Sequence, residues 1–246
     1  MDGDAPLVSC LCVTEGRAAF MPWLLWGFER QTWPHKELVV VDSSAVPWTG
    51  APAEGRVVRI VTAAPGTNVP TKRNLALQAA RGRYVAWFDD DDWQHPDRLA
   101  RIGRALSAGA DVAGSASAFF VDLFTRESYR YSGRGRIIFN AAGFVAEAAR
   151  AVRFDERVSK ASDVAWMDTV IARAPGRVSV FDRDMHTFWL CHDGNLSNPR
   201  GRVPLCFPIA LVRDRVGVAA WGDTDEQLRT LESRVRAEAA APTSRR

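Results

Sequence analysis

Short, largely apolar runs recur along the first hundred residues, at Leu7 to Thr14, Glu37 to Asp42 and Arg83 to Phe88, each closed by polar or acidic residues. Runs of this length without helical periodicity predict strands buried on both faces, the pattern of a parallel sheet. Between the first two, Phe20, Leu24 and Phe28 recur every four residues and predict a helix that stops at Trp33-Pro34. Strand, helix and strand in this order form a right-handed βαβ unit. The Pro-, Gly- and Ala-rich segment from Val46 to Glu54 reads as a surface loop, Val57 to Val61 as a third strand and Pro65 to Asn68 as a turn. Thr71 is placed to cap a helix from Lys72 to Ala80, closed by Gly82, which delivers the chain into the strand at Arg83 to Phe88.

Beyond that strand, Pro96 opens a helix with a stripe of Leu99, Ile102 and Leu106, and Ala110 to Gly114 is a further strand. Phe119 to Phe124 and Ser128 to Tyr131 flank a polar turn and predict a hairpin. The alternating pattern ends here, which places a boundary near residue 110. Ala141 to Ala151 reads as helical. Ser162 to Asp168 begins a helix that runs to Ala174-Pro175-Gly176, and Val178 to Phe181 and Met185 to Cys191 read as strands. A helix with Leu228, Leu231 and Val235 runs from Asp225 to about Ala240, before a frayed tail from Ala241 to Arg246.

The feature of greatest chemical interest is the change from Val85-Ala86-Trp87-Phe88 to Asp89-Asp90-Asp91-Asp92 across one peptide bond. Ligands of open α/β sheets bind beyond the carboxyl ends of the strands, where this run lies. Four adjacent carboxylates repel one another, and a divalent cation would relieve the repulsion. With strand geometry continued, Asp89 and Asp91 point to one side and offer hard oxygen ligands for Mg²⁺ or Mn²⁺. A solvated acidic turn is the alternative. Lys72, Arg73 and Asn74, near a helix start where cations oppose the helix dipole, suggest an anionic ligand or else a solvated face.

Composition narrows the field. The 246 residues suffice for one large α/β domain or two joined lobes, and the net charge of +3 argues against nucleic acid. The longest apolar run, Phe20 to Phe28, is too short to span a bilayer, and the acidic start is unlike a secretory signal, so a cytoplasmic location is expected. Arginine is heavily favoured over lysine, which occurs only at Lys36, Lys72 and Lys160; with abundant alanine this suggests a bacterial gene of high GC content. Cys10, Cys12, Cys191 and Cys206 lack zinc-site spacing and read as reduced, buried thiols. Trp93 and Trp166 flank acidic positions and suit either a sugar pocket or the core.

Taken together, three segments resemble the family-2 glycosyltransferases with the GT-A fold. They are Gln31-Thr32-Trp33-Pro34 leading to Glu37 to Asp42, Arg73-Asn74 with Ala79 to Tyr84, and Phe88 to Asp92 with Pro96. The resemblance covers roughly residues 6 to 200 and implies an α/β, Rossmann-like nucleotide-binding sandwich with a mostly parallel central sheet and a smaller acceptor-binding portion. It implies a nucleotide-sugar lobe over 1–110, an acceptor and catalytic-base lobe over 111–222, and a C-terminal helix and tail over 223–246. By the same resemblance Asp42 contacts the base and Arg73 the substrate, Asp89 and Asp90 approach the ribose or sugar, and Asp91, with Asp89, holds Mn²⁺ or Mg²⁺ on the diphosphate. Asp163 corresponds to the catalytic base, with Ser162 where the family usually has a first acidic residue, and Ser43 replaces the polar or acidic residue after Asp42. His192, with Asn195 and Ser197, resembles a late loop that closes over the diphosphate, whereas His186 matches no motif. The implied reaction is an inverting, metal-dependent transfer from a nucleotide-diphosphate sugar, a UDP-sugar first among them, to an acceptor. A non-catalytic nucleotide-sugar-binding protein is the alternative. A sugar-1-phosphate nucleotidyltransferase is a further one, but it needs a glycine-rich basic loop that Thr14-Glu15-Gly16-Arg17 does not supply.

Overall fold

The computed structural model describes residues 5–50, 58–158, 161–174, 177–181, 187–193, 195 and 207–240. His186, Ser197, Cys206, the tail from Ala241 and the later part of the loop after Val46 lie outside the described residues.

The apolar runs form the centre of a seven-stranded sheet. Strands β1 (Val8–Thr14), β2 (Lys36–Asp42), β3 (Val58–Thr62) and β4 (Tyr84–Trp87) are joined by α1 (Met21–Glu29) and α2 (Val69–Ala79). Strand β1 pairs in parallel with both β2 and β4, and β2 in parallel with β3. Alternation along β1 sends Leu11 to one face and Cys10 and Cys12 to the other, and each face meets its own helical layer. On the first face lie Ala76 and Leu77 of α2, with Trp166 and Met167 of α5 (Ser162–Arg173); on the second lie Leu24 and Phe28 of α1, with Leu99, Ile102 and Leu106 of α3 (Arg98–Ser107). The result is a mostly parallel sheet between two helical layers. Burial pushes the Cys10 thiol up to about 12 and the Cys12 thiol up as well; both are free, and Cys191 is buried too.

Gly82 sets the entry to β4. A Cβ there would lie 2.6 Å from the Tyr84 carbonyl oxygen and 2.7 Å from that of Leu7, a backbone approach that only glycine permits. Its N–H donates to Ser9 Oγ at 2.8 Å, and that hydroxyl donates in turn to Glu37 Oε1 at 2.6 Å, tying the bases of the three central strands together.

The sheet also takes strands from the second half of the chain, in the order β10-β6-β9-β4-β1-β2-β3, with β6 (Val112–Ser115), β9 (Ala142–Val145) and β10 (Val178–Phe181). A boundary at residue 110 therefore does not coincide with a boundary between sheets. Strand β9 runs antiparallel to β4 and β6, and it occupies part of the segment expected to be helical; only Ala146–Arg150, α4, is a helix there. A second sheet of five strands has the order β12-β8-β7-β11-β5, from β5 (Trp93–Gln94), β7 (Ser117–Asp122), β8 (Glu127–Ser132), β11 (Thr187–Cys191) and β12 (Phe207–Pro208). One face of it packs through Phe119, Val121, Phe188 and Leu190 onto Val212 of α6 (Ile209–Val216), Trp221 of α7 (Val218–Trp221) and Leu228 and Leu231 of α8 (Thr224–Ala240).

Among the described residues no helix is long and apolar enough to cross a membrane.

Candidate active site

Strand β4 ends at Trp87, and the acidic run does not continue its pleat: Asp90 and Asp91 lie in a tight turn. The alternation expected for Asp89 and Asp91 is thus replaced by individual placement of each carboxylate. Asp90 accepts a 2.6 Å hydrogen bond from Thr14 Oγ1 at the tip of β1. Asp92 accepts one from Asn140 Nδ2 at 2.6 Å, while the same amide reaches Asp89 Oδ2 at 3.4 Å. Asp91 receives a convergent set in which Arg17 forms an ion pair with it, Asn195 Nδ2 donates at 3.1 Å and His192 Nε2 lies at 3.2 Å. The late loop expected to close on the diphosphate therefore meets the acidic run at Asp91.

Arg17 was not singled out by the sequence, where it reads only as part of a polar turn after β1. It bridges Asp91 and Asp90, the latter at 3.0 Å, and its Nη2 lies 2.8 Å from His192 Nε2. Its guanidinium also lies over the Phe20 ring at 4.7 Å, and that ring packs against His192. Spacing from β1 could have placed Arg17 at a strand tip, but its pairing with residues 74 positions away required the fold.

The surroundings shift the four carboxyls differently, for physical reasons. Burial pushes Asp90 up to about 7 against the pull of Arg17, and burial with the charges of Asp91 and Asp89 pushes Asp92 well above the carboxylate range. Burial also raises Asp89, opposed by Arg73. For Asp91 burial acts upward too, but the Arg17 charge and hydrogen bonds from His192 and Arg17 outweigh it and hold the carboxyl below its ordinary value. Asp91 is thus the member of the run best held as an anion.

Helix α5 begins at Ser162, so Asp163 stands in its first turn, half-buried, after the left-handed residue Ala161. Arg73 and Asp89 both sense the charge of Asp163, which places the three in one electrostatic neighbourhood. Asp168 is exposed and forms an ion pair with Arg136 instead. The Arg73 guanidinium lies over the rings of Phe139 (4.5 Å), Phe154 (5.5 Å) and Trp87 (5.8 Å), where burial lowers its pKa. Its Nε has no hydrogen-bond partner among the described residues.

Two further corrections concern α2. Its cap is Asn68, whose side chain accepts from Thr71 N at 2.9 Å, so the helix starts at Val69 and Lys72 to Asn74 fall beyond its first residues. Lys72 is buried and donates to Thr14 O, Ser43 Oγ and Glu15 Oε2 at 2.9–3.2 Å, which explains a cation there without a ligand. Asn74 holds the backbone of Phe154 from both sides, donating to its O at 3.1 Å and accepting from its N at 2.9 Å, and also donates to Glu156 Oε1 at 2.9 Å. The turn at Phe154 to Glu156 is fastened to α2 by this side chain and by the helix cap Asn68, whose Nδ2 donates to Glu156 O at 2.9 Å.

Asp42 ends β2 and is fully buried. Its oxygens accept from Ser44 N and Trp48 N, both at 2.8 Å, and from Ser44 Oγ, organising the loop after β2. A small pocket opens there, lined by Thr14, Gly16, Asp42, Ser44, Val46 and Trp48. Trp93 and Trp166 belong to the core. Trp93 stacks on Phe188 and donates to Thr224 Oγ1, and Trp166 stacks on Phe154 and donates to the Val152 carbonyl.

Among the described residues no three His, Cys, Asp or Glu side chains converge into a preformed metal cage. Asp91 with Asp89 nevertheless suits Mg²⁺ or Mn²⁺, because such ions take one or two carboxylates and complete their shell with phosphate oxygens and water.

The family model described as "Glycosyl transferase family 2" matches residues 13–156. The succinoglycan biosynthesis protein ExoO of Rhizobium meliloti (strain 1021) is 41% identical over 81 residues, which span 31% of this chain and 23% of that protein. TarS of S. aureus, solved as residues 1–349 in complex with UDP, superposes with a TM-score of 0.62 at 18% identity, over 74% of this chain and 60% of that one. It has also been solved in complex with UDP-GlcNAc. The mannosyltransferase PcManGT from Pyrobaculum calidifontis, solved in complex with GDP-Man and Mn²⁺, superposes with a TM-score of 0.58 at 16% identity, over 98% of this chain and 77% of that one.

Proposed function

The chain belongs to the family-2 glycosyltransferases, and from that premise we propose that it transfers a sugar, with inversion, from a nucleotide-diphosphate sugar to an acceptor hydroxyl or other nucleophile. The observation that carries the reading is the gathering of Arg17, His192 and Asn195 about Asp91 at the end of β4, with Asp163, in the first turn of α5, in the electrostatic neighbourhood of Asp89 and Arg73.

Residues 1–110 supply the donor side. The Asp42 pocket takes the base, and Asp89 and Asp90 lie toward the ribose or sugar. Arg73 brings positive charge to the same neighbourhood. UDP is the first nucleotide to test, since TarS has been solved with UDP and UDP-GlcNAc, and GDP the second, given the PcManGT complex. Asp91, with Asp89, would hold Mn²⁺ or Mg²⁺, which when bound offsets the diphosphate charge and improves it as a leaving group. Arg17 and His192 border the same oxygens and add fixed positive or hydrogen-bonding groups there.

Residues 111–222 supply the acceptor side. The Asp163 carboxylate accepts the acceptor proton as its oxygen bonds to the anomeric carbon, while the bond from that carbon to the diphosphate oxygen breaks on the opposite face. One displacement inverts the configuration and leaves nucleoside diphosphate as the second product. Asn74 holds the Phe154 backbone, and Phe154 stacks on Trp166 of α5, so the helix that carries Asp163 is packed against a turn fastened to α2.

A screen of UDP-, GDP- and dTDP-sugars with Mn²⁺, read as release of nucleoside diphosphate, tests the reading. Turnover of one donor class is expected. Nucleotide binding without turnover of any donor, with or without a saccharide acceptor, would instead identify a binding protein.

A further inference from the structure

The second sheet carries an aromatic surface that the donor and base assignments leave unused. Tyr129, Phe120 and Trp189 stand abreast on three adjacent strands, since Phe120 is the register partner of Tyr129 on β8 and of Trp189 on β11. Phe120 stacks on Tyr129 at 4.6 Å and 10°, and Trp189 meets Phe120 edge-on at 4.2 Å. Tyr131 extends the row, 5.4 Å from Trp189, and is 42% exposed; the other three are half-buried.

The neighbouring positions Phe119, Val121, Phe188 and Leu190 alternate to the opposite face, which α6, α7 and α8 cover. On the aromatic face the apolar cluster that Trp189 joins is small, consisting of Ala118, Ile138 and Ala141. The Trp189 indole N–H is buried and has no hydrogen-bond partner among the described residues. Rings half-open to solvent, two of them carrying a phenolic hydroxyl as a polar handle, suit a ligand that has both an apolar face and hydroxyls. A pyranose is such a ligand, because its axial C–H bonds form one apolar face and its hydroxyls ring the edge.

The strand and turn that border this surface lead to the acidic run. Two residues after Trp189 the strand ends at Cys191, and the next residue is His192, 3.2 Å from Asp91. Asn140, adjacent to Ala141 of the same cluster, donates to Asp92 at 2.6 Å. On the other side, the turn after β8 brings Arg136 to Asp168 on α5, the helix that opens with Asp163. A chain lying along the rings toward the end of β11 would thus lead its end toward the acidic run at Asp91.

We propose that Phe120, Tyr129, Tyr131 and Trp189 form a saccharide-binding platform, and that the acceptor is an oligosaccharide or polysaccharide held by ring stacking beside the transfer site. The acceptor role rests on the glycosyltransferase reading; the capacity to bind a saccharide does not.

Saturation-transfer NMR on the full chain, with UDP and Mn²⁺ present, tests it using oligosaccharides of glucose, N-acetylglucosamine, galactose and mannose as probes. At least one should bind the wild type with saturation of its ring C–H protons. Tyr131→Ala should weaken that binding about tenfold, the scale of one lost aromatic contact, and Trp189→Phe, which keeps a ring but removes the N–H, should weaken it less. UDP affinity should be the same in all three proteins. Failure of every probe to bind the wild type, or binding unchanged in both variants, overturns the platform while leaving the donor site standing. Saccharide binding at the rings in a protein that binds no UDP would have the reverse meaning, upholding the platform and removing the donor reading.

Discussion

Asp163 and Asp168 lie five residues apart on α5, about 140° apart around the helix, and their surroundings differ accordingly. Asp168 is held on the exposed side by Arg136, whereas Asp163 lies within electrostatic reach of Arg73 and Asp89. Asp163→Asn should therefore cut transfer by about 10²-fold or more with donor affinity nearly unchanged, and Asp168→Asn should leave transfer near wild type. Steady-state kinetics on the two variants decide the matter, and the opposite pattern would move the base to Asp168. Arg17 is the second residue on which the site depends, since it compensates Asp90 and Asp91 where both are buried. Removing one partner of a buried pair leaves the remaining charge uncompensated, at a cost of about 3 kcal/mol or more. Arg17→Gln should accordingly lower the melting temperature in EDTA, and added Mn²⁺ should raise it by more than in the wild type. An equal Mn²⁺ response in both proteins would remove Arg17 from the site's charge balance.

At the scale of elements, the contact between α2 and the Phe154 turn joins the stretches for which donor and base roles are proposed. Asn74→Ala would leave the buried Phe154 backbone groups unpaired, a loss of about 1–3 kcal/mol, and should reduce transfer more than UDP binding; calorimetry and kinetics on this one variant separate the two. Asn74 was readable as part of a motif, yet its contact with a turn 80 residues away was not. The central strands were legible because burial on both faces leaves an unbroken apolar run, as at Leu38 to Val41. Strand β9 was not, since Ala142 and Gly143 carry no β-branched or aromatic side chain; a Cβ on Gly143 would lie 2.3 Å from Ile102 Cγ2, so packing against α3 selects glycine there over strand propensity. The start of α2 was misplaced because Asn68 and Thr71 are both good caps, and only the hydrogen bond from Thr71 N to Asn68 distinguishes them.

For the whole molecule, a parallel sheet built mainly from the first half brings Thr14, Asp42 and the acidic run to one edge, and strands from the second half complete that sheet. Donor and acceptor functions are therefore proposed for successive stretches of chain that share a core. The positions of Asp42, Asp89 to Asp91 and Asp163 could be assigned from motif order, whereas the gathering of Arg17, His192 and Asn195 about Asp91 depends on contacts across 74 to 104 residues. That gathering makes Asp91 the centre of the account. Calorimetric titration of UDP into wild type and Asp91→Asn, each with Mn²⁺ and with EDTA, tests it most directly. The wild type should bind UDP at least about tenfold more tightly with Mn²⁺ than with EDTA, a difference of some 1.4 kcal/mol, and Asp91→Asn should be folded and indifferent to the metal. Equal UDP affinity in all four titrations would contradict a metal-assisted diphosphate site at Asp91.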